Sequence, residues 1–315
     1  MSILVCGSLA YDTLLTFEGR FEEHILADQL HKISTTFLVP SMRREFGGCG
    51  GNIAFNLAML GVEPLLMTTV GEDFSPYRAH LKRMGVNDKY VRTIRGEFTP
   101  QLFAISDRDK NQIMALHPGA MAHSHANHLS EVSEPIELAI VAPSGLSGAL
   151  QHCEELAEAG IPFIFDPGQE LPLFSAAQLR RLVGLATYVT LNDYESELMR
   201  DRAGLTIEAM RDMVDAVIVT RGSKGSEIHT RDALYEIPRV QMPNKPLDPL
   251  GCGDAYRAGL LFGIHNGLDW VVTGRLANIL GAIKITALGP QSHFFDWDII
   301  TRLYQESYGE PWPLA

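Results

Sequence analysis

The run Asp248-Pro249-Leu250-Gly251-Cys252-Gly253-Asp254-Ala255 places two glycines and an acid where a small-residue turn feeds directly into a helix. Backbone N–H groups at such a helix start lack intrahelical acceptors and can converge on one anion. A carboxylate beside them can take a proton from a hydroxyl while the amides stabilise charge on a transferring phosphoryl group. On this reading Asp254 is the base, and the amides of Gly251, Cys252 and Gly253 form the anion hole. An Asp that only caps the helix is the simpler alternative, but a plain cap has no need of two flanking glycines. Cys252, facing a helix N-terminus, is expected to have a lowered thiol pKa.

A second cluster, Gly47-Gly48-Cys49-Gly50-Gly51-Asn52, opens a helix that ends at Gly61. Two readings stand: close approach of a ligand to the backbone, with Asn52 on a sugar hydroxyl, or close packing of the helix itself. Neither cluster reads GxxxxGK[ST], so no P-loop is present, and Gly7 does not open a GxGxxG fingerprint. Gln169 and Glu170 follow a strand ending at Asp166-Pro167, where they serve as ligand contacts or as a surface turn. The stretch His123-Ser124-His125-Ala126-Asn127-His128 carries three imidazoles without a carboxylate shell, which predicts a solvated loop rather than a metal site.

The elements that must position these residues alternate in type. Ile3 to Cys6, Leu65 to Val70, Leu138 to Ala142, Pro162 to Phe165, Tyr188 to Leu191 and Ala216 to Thr220 are apolar, β-branched runs that predict buried parallel strands. Between them, Asn52 to Leu60, Pro76 to Met84, Gly148 to Ala159, Ala176 to Leu185 and Glu195 to Arg202 have helical spacing. The pattern predicts a single α/β domain over 1–315: a mostly parallel sheet with helices on both faces. Two regions, about 13–46 and 97–118, break the rhythm and predict a small β-sheet lid, the second folding around Ser106 to Asn111. After Pro243 the pattern predicts helices over Gly253 to His265, Asp269 to Leu288 and Trp297 to Tyr308.

The chain has 315 residues, 46% hydrophobic and 20% charged, a folded globular composition. Its 26 basic and 38 acidic residues give a net charge of −12, which disfavours nucleic acid and anionic membranes as partners. The start lacks a basic n-region and turns glycine-rich at once, so a cytoplasmic location is expected. Four separated cysteines without CxxC indicate neither a zinc knuckle nor a disulfide framework. An exposed lid edge leaves both a monomer and a homodimer open.

Along essentially its whole length the sequence resembles the PfkB carbohydrate kinase family, also called the ribokinase family. One family signature is similar to Gly47 through Gly61 and the other to Asp248 through Ala258, in the same order and at the same separation. Asn192-Asp193-Tyr194-Glu195 resembles the family's NxxE motif, which implies that Asn192 and Glu195 organise Mg²⁺ and phosphate. Thr220 through Gly225 resembles its nucleotide-binding strand and turn, implying ATP contacts from Thr220, Gly222 and Gly225. The segment from Ala277 to Gly289 resembles the helix beside the adenine pocket, implying Asn278 and Ala282.

Within the family the likeness is greatest to bacterial adenosine and nucleoside kinases, through Gly7-Ser8, Asp12, Phe37-Leu38-Val39 and His117 to Met121. It implies a ribose pocket from Ser8, Asp12, Thr36, Gly48 and Asn52, with Gln169 beside it. One carboxylate, Asp12, can accept hydrogen bonds from two vicinal hydroxyls. Cys49 stands where ribose kinases of the family carry Lys, which counts against free ribose. Leu102 and Leu116 stand where adenosine kinases place aromatic rings, so the base receives apolar contact without stacking; Phe103 and Phe37 are candidates to compensate. Asp248 resembles the family's monovalent-cation ligand, but Leu250, Ala287 and His293 depart from the potassium-activated pattern and leave K⁺ open. The implied activity is transfer of the γ-phosphate of ATP to the 5′-hydroxyl of a ribonucleoside, with lid closure excluding water. A kinase for another sugar, or a nucleoside sensor without turnover, are the alternatives.

Overall fold

A computed structural model describes residues 2–25, 31–32, 34–242 and 245–314. Residues 26–30 and 33 of the expected lid lie outside it. Strand β1 (Ser2–Cys6) leads into β2 (Ala10–Thr16), and β3 (Ser41–Gly47) runs into α1 (Cys49–Met59). Next come β4 (Pro64–Val70), α2 (Ser75–Arg83), β5 (Val91–Thr93), β6 (Gln101–Ser106) and β7 (Gln112–His117). A second βα series follows: β8 (Ile136–Val141), α3 (Leu146–Glu158), β9 (Phe163–Phe165), α4 (Ala176–Leu185), β10 (Tyr188–Asn192), α5 (Asp193–Ala203), α6 (Ile207–Arg211) and β11 (Ala216–Thr220). The described chain closes with β12 (Ser226–Thr230), β13 (Leu234–Ile237), α7 (Cys252–His265), α8 (Trp270–Lys284) and α9 (Trp297–Tyr308).

Nine strands form one sheet in the order β13-β12-β11-β10-β9-β8-β1-β4-β5. It is parallel except at β12 and β13, which add antiparallel. Successive side chains of a strand point to opposite faces, so both faces of β1 need cover. Ile3 and Val5 pack with Ile53, Leu57, Tyr256 and Leu260 from α1 and α7. Leu4 and Cys6 pack with Cys153, Leu156, Leu179 and Leu182 from α3 and α4. The strands that the apolar runs predict are present; β5, β12, β13 and α6 are additional. They are short and mixed in polarity, so periodicity alone does not mark them.

The second sheet has the order β3-β2-β6-β7. Its register sets Asp12 opposite Glu45 on one side and Leu102 on the other, and Leu102 opposite Leu116. These four side chains therefore share one row and one face. Phe103 points to the opposite face, and Phe37 packs with Phe17, Phe21 and His24.

The first part of the histidine stretch is not a loop but lies in a 3₁₀ segment, Gly119–Ala126, while Asn127 and His128 follow it. His123 pairs with Glu97 at 3.3 Å and His128 with Glu155 at 2.8 Å. Among the described residues no three His, Cys, Asp or Glu converge to hold a metal. No described helix is long and apolar enough to cross a membrane.

Candidate active site

The parallel strands deliver their carboxyl ends to one edge, and most candidate residues gather there. Ser8 lies just after β1, Asp166 just after β9, Asn192 ends β10 and Thr220 ends β11. The glycine turn before α1 meets the turn after β1, with the Gly51 amide donating to the Ser8 carbonyl at 3.2 Å. Close approach explains Gly50 directly, because a Cβ there would stand 2.6 Å from the Gly7 backbone carbonyl. Asp12 is buried, and burial raises its pKa from the ordinary 3.8 to about 7, with Asp254, Glu45 and Asp248 adding repulsion.

Gly251 starts α7 with φ of 82°, a left-handed conformation that favours glycine and turns the chain into the helix. The Cys252 amide is engaged by the Pro249 carbonyl at 3.2 Å, which leaves Gly251 and Gly253 as the better anion donors of the expected trio. Asp254 accepts a 2.8 Å hydrogen bond from the Asn52 side-chain amide. Asn52 in turn accepts from Gln291 at 2.8 Å, and the same Gln291 nitrogen donates to the Tyr77 hydroxyl at 2.7 Å. His80 donates to Gln291 Oε1 at 2.8 Å, and Tyr77 donates to the Gly47 carbonyl at 2.8 Å. A continuous buried network thus ties Asp254 to the first glycine turn and fixes the Asn52 amide. Burial raises the Asp254 pKa and Asp166 adds to it, while Arg257 and the Asn52 amide oppose the shift. A raised pKa strengthens a carboxylate as a base.

Arg257, one turn along α7, is buried and donates to Asp166 at 2.8 Å, with a second, shorter contact to the same carboxylate. Glu195 and Asp254 also act on its guanidinium. This cation joins the acid of the first turn to the region of the NxxE motif. Asn192 and Glu195 form a reciprocal capping box on α5, each side chain bonded to the other's amide at 2.8 Å. Burial raises the Glu195 pKa, Asp166 adds, and Arg257 opposes.

A cleft of about 760 Å³ opens beside this group. It is lined by Asn192, Thr220, Gly222, Gly225, Asn278 and Ala282, the six residues expected at a nucleotide, and it reaches Cys252, Gly253 and Arg257. On the other side, Gln169 reaches Cys49 Sγ at 3.9 Å, whereas Glu170 turns inward to accept the amides of Ser144 and Gly145. Glu170 is therefore a loop anchor. Thr36 is exposed, on the segment 34–40. Cys252 departs from expectation: burial pushes its thiol up to about 11, outweighing Lys284, and Asp248 and Asp254 add to the shift. Both Asp248 oxygens are engaged, by the Leu250 amide at 3.0 Å and the Gly289 amide at 2.9 Å.

The sequence reading missed Asp166, Arg257, Gln291, Tyr77 and His80. Arg257 carries a signal, a lone cation in the apolar run Ala255 to Phe262; Tyr77 and His80 share one helix face, but Asp166, Gln291 and that pair meet their partners only in the fold.

Residues 15–296 match the pfkB family carbohydrate kinases. The chain belongs to this family. A nucleoside kinase of Methanocaldococcus jannaschii is 33% identical over 276 residues, spanning 86% of this chain and 89% of that protein. The structure of Burkholderia thailandensis nucleoside kinase in complex with inosine superposes with a TM-score of 0.89 at 48% identity, covering 98% of this chain and 99% of that one. The same enzyme in complex with ADP-inosine gives 0.86 at 49% identity, with 98% and 97% covered. Ribokinase from Thermotoga maritima shares the fold, with a TM-score of 0.77 at 20% identity over 97% of this chain and 99% of that one. This pfkB kinase has a ribokinase-like fold and is a phosphotransferase with a hydroxyl acceptor.

Proposed function

We propose that this pfkB kinase transfers the γ-phosphoryl group of ATP to the 5′-hydroxyl of a ribonucleoside, with Asp254 as base. The observation that carries the reading is the hydrogen bond from Asn52 to Asp254, an acid that also acts on Asp12 and follows Cys252 and Gly253, which line the cleft with Asn192, Thr220 and Asn278. Asp12 and Asn52 hold the vicinal ribose hydroxyls, with Ser8 and Gly48 at the floor and Gln169 at the rim. Asp254 takes the 5′-hydroxyl proton as that oxygen bonds to the γ-phosphorus and the bond to the β-phosphate oxygen breaks, releasing ADP. The Gly251 and Gly253 amides and the positive end of α7 hold the charge on the transferring group.

Among the described residues no group of three acids, His or Cys could hold a metal by itself. Glu195 and Asn192 are the residues that would hold Mg²⁺ through water or phosphate, where it neutralises phosphate charge. Leu102 and Leu116 offer apolar contact to the base without ring stacking, which supports acceptance of several purine nucleosides. The test is a panel of adenosine, inosine, guanosine, cytidine and ribose with Mg-ATP, following ADP and the phosphorylated product. Purine ribonucleosides should turn over and ribose should not. Turnover of ribose alone would overturn the substrate class, and nucleoside binding without ADP would overturn the enzyme.

A further inference from the structure

Lys284, the last residue of α8, is wholly buried, although a lysine usually keeps its ammonium in water. Its Nζ donates to the backbone carbonyl of Asp248 at 2.8 Å and to that of Ala287 at 3.1 Å. These carbonyls belong to the two segments that brace the Gly251–Gly253 turn. One segment enters the turn. The other returns against it, with Leu247 and Asp248 amides donating to the Ile285 carbonyl at 2.8 and 3.2 Å, and the Gly289 amide donating to the Asp248 carboxylate at 2.9 Å. Backbone carbonyls converging beside a carboxylate are the oxygen donors that a hard, desolvated cation takes. Here the chain's own ammonium occupies that point, so the neighbourhood of Asp248 does not fit a potassium ion.

Resting on the proposed kinase reading, we infer that Lys284 is a built-in monovalent cation that fixes the anion turn and makes phosphoryl transfer independent of potassium. Lys284 acts as a positioning residue, through the Asp248 and Ala287 carbonyls. Asp248, Glu45, Cys252, Arg43 and His293 face the ammonium; burial lowers its pKa, while the acids counter that shift.

Initial rates with Mg-ATP and nucleoside are measured with potassium chloride replaced by choline chloride at equal ionic strength. Equal rates are expected, and activation of the unmodified protein by potassium of about tenfold or more would overturn the inference. Lys284→Ala opens the cradle; its kcat should fall about tenfold or more with the nucleoside KM little changed, and potassium or ammonium should restore part of it where choline does not. Lys284→Met fills the space without charge and should show no rescue. A readout independent of turnover is thermal unfolding: potassium should raise the Tm of Lys284→Ala relative to choline and leave that of the unmodified protein unchanged. A folded Lys284→Ala with full kcat, or an identical potassium response in both proteins, would refute the role. If Lys284→Ala does not fold, the potassium response of the unmodified protein and the Lys284→Met comparison still decide. Failure of the unmodified protein to form ADP with any nucleoside would instead count against the kinase reading, and the Tm comparison would then decide the cation site alone.

Discussion

Replacing Asp12 by Asn removes a carboxylate that the fold holds buried among other acids. Its pKa is raised from 3.8 to about 7, first by burial and then by Asp254, Glu45 and Asp248. Because the folded value lies above the unfolded one, the folded state holds this proton more tightly. The contribution of Asp12 to stability is therefore fully present below about pH 4 and is lost as pH rises through about 7. At about 1.36 kcal/mol per pH unit, the span from pH 5 to the folded pKa corresponds to about 2–3 kcal/mol. Asn does not ionise, so the stability of Asp12→Asn relative to the parent should grow by about that amount between pH 5 and pH 8, then level off. Urea unfolding of both proteins at several pH values, without nucleoside, reads the difference. In the same variant, loss of charge-assisted bonds to the vicinal hydroxyls should raise the nucleoside KM by about one to two decades, with the ATP KM little changed. Parallel pH–stability curves, or an unaltered nucleoside KM, would refute the placement of Asp12 as a buried, charge-repelled acid of the sugar pocket.

Two further variants test the parts that hold the site. Asp166→Asn leaves the buried Arg257 guanidinium without its charged partner, and should cost about 3–5 kcal/mol in urea unfolding; a loss below about 1 kcal/mol would mean the pair is solvated. Gln291→Leu removes the donor that Asn52 and Tyr77 share, so kcat for nucleoside should fall about tenfold with the ATP KM unchanged; an unaltered kcat would detach this network from catalysis.

The sheet was largely legible because Ile3 to Cys6 and Ala216 to Thr220 are apolar on both faces, as strands covered on both sides must be. The edge hairpin was not, because Ser226–Thr230 and Leu234–Ile237 are short, bury only parts of their length and mix polar with apolar residues. The Gly251 turn and Asp254 could be read from local spacing, since a turn, a helix start and a carboxylate lie within a few residues. The partners of Asp254 could not: Asn52 and Gln291 are 239 residues apart, and Asp166 and Arg257 are 91 apart. Local rules failed once in the opposite direction, at Cys252, where a helix N-terminus argues for a lowered pKa and burial raises it. The apolar helix around Lys284 held a signal that the reading did not use, a single cation between Ile283 and Ile285.

Asp254→Asn tests the central assignment most directly, because it keeps the size of the side chain and removes its capacity to accept the 5′-hydroxyl proton. Affinities for nucleoside and ATP are measured by calorimetry, and single-turnover transfer from Mg-ATP is followed in the same samples, with circular dichroism to verify the fold. Binding should persist while transfer falls by about 10²–10⁴, the usual range for loss of a general base, with a residual rate from the anion turn. A folded variant that transfers phosphate at close to the parent rate would show that Asp254 is not the base.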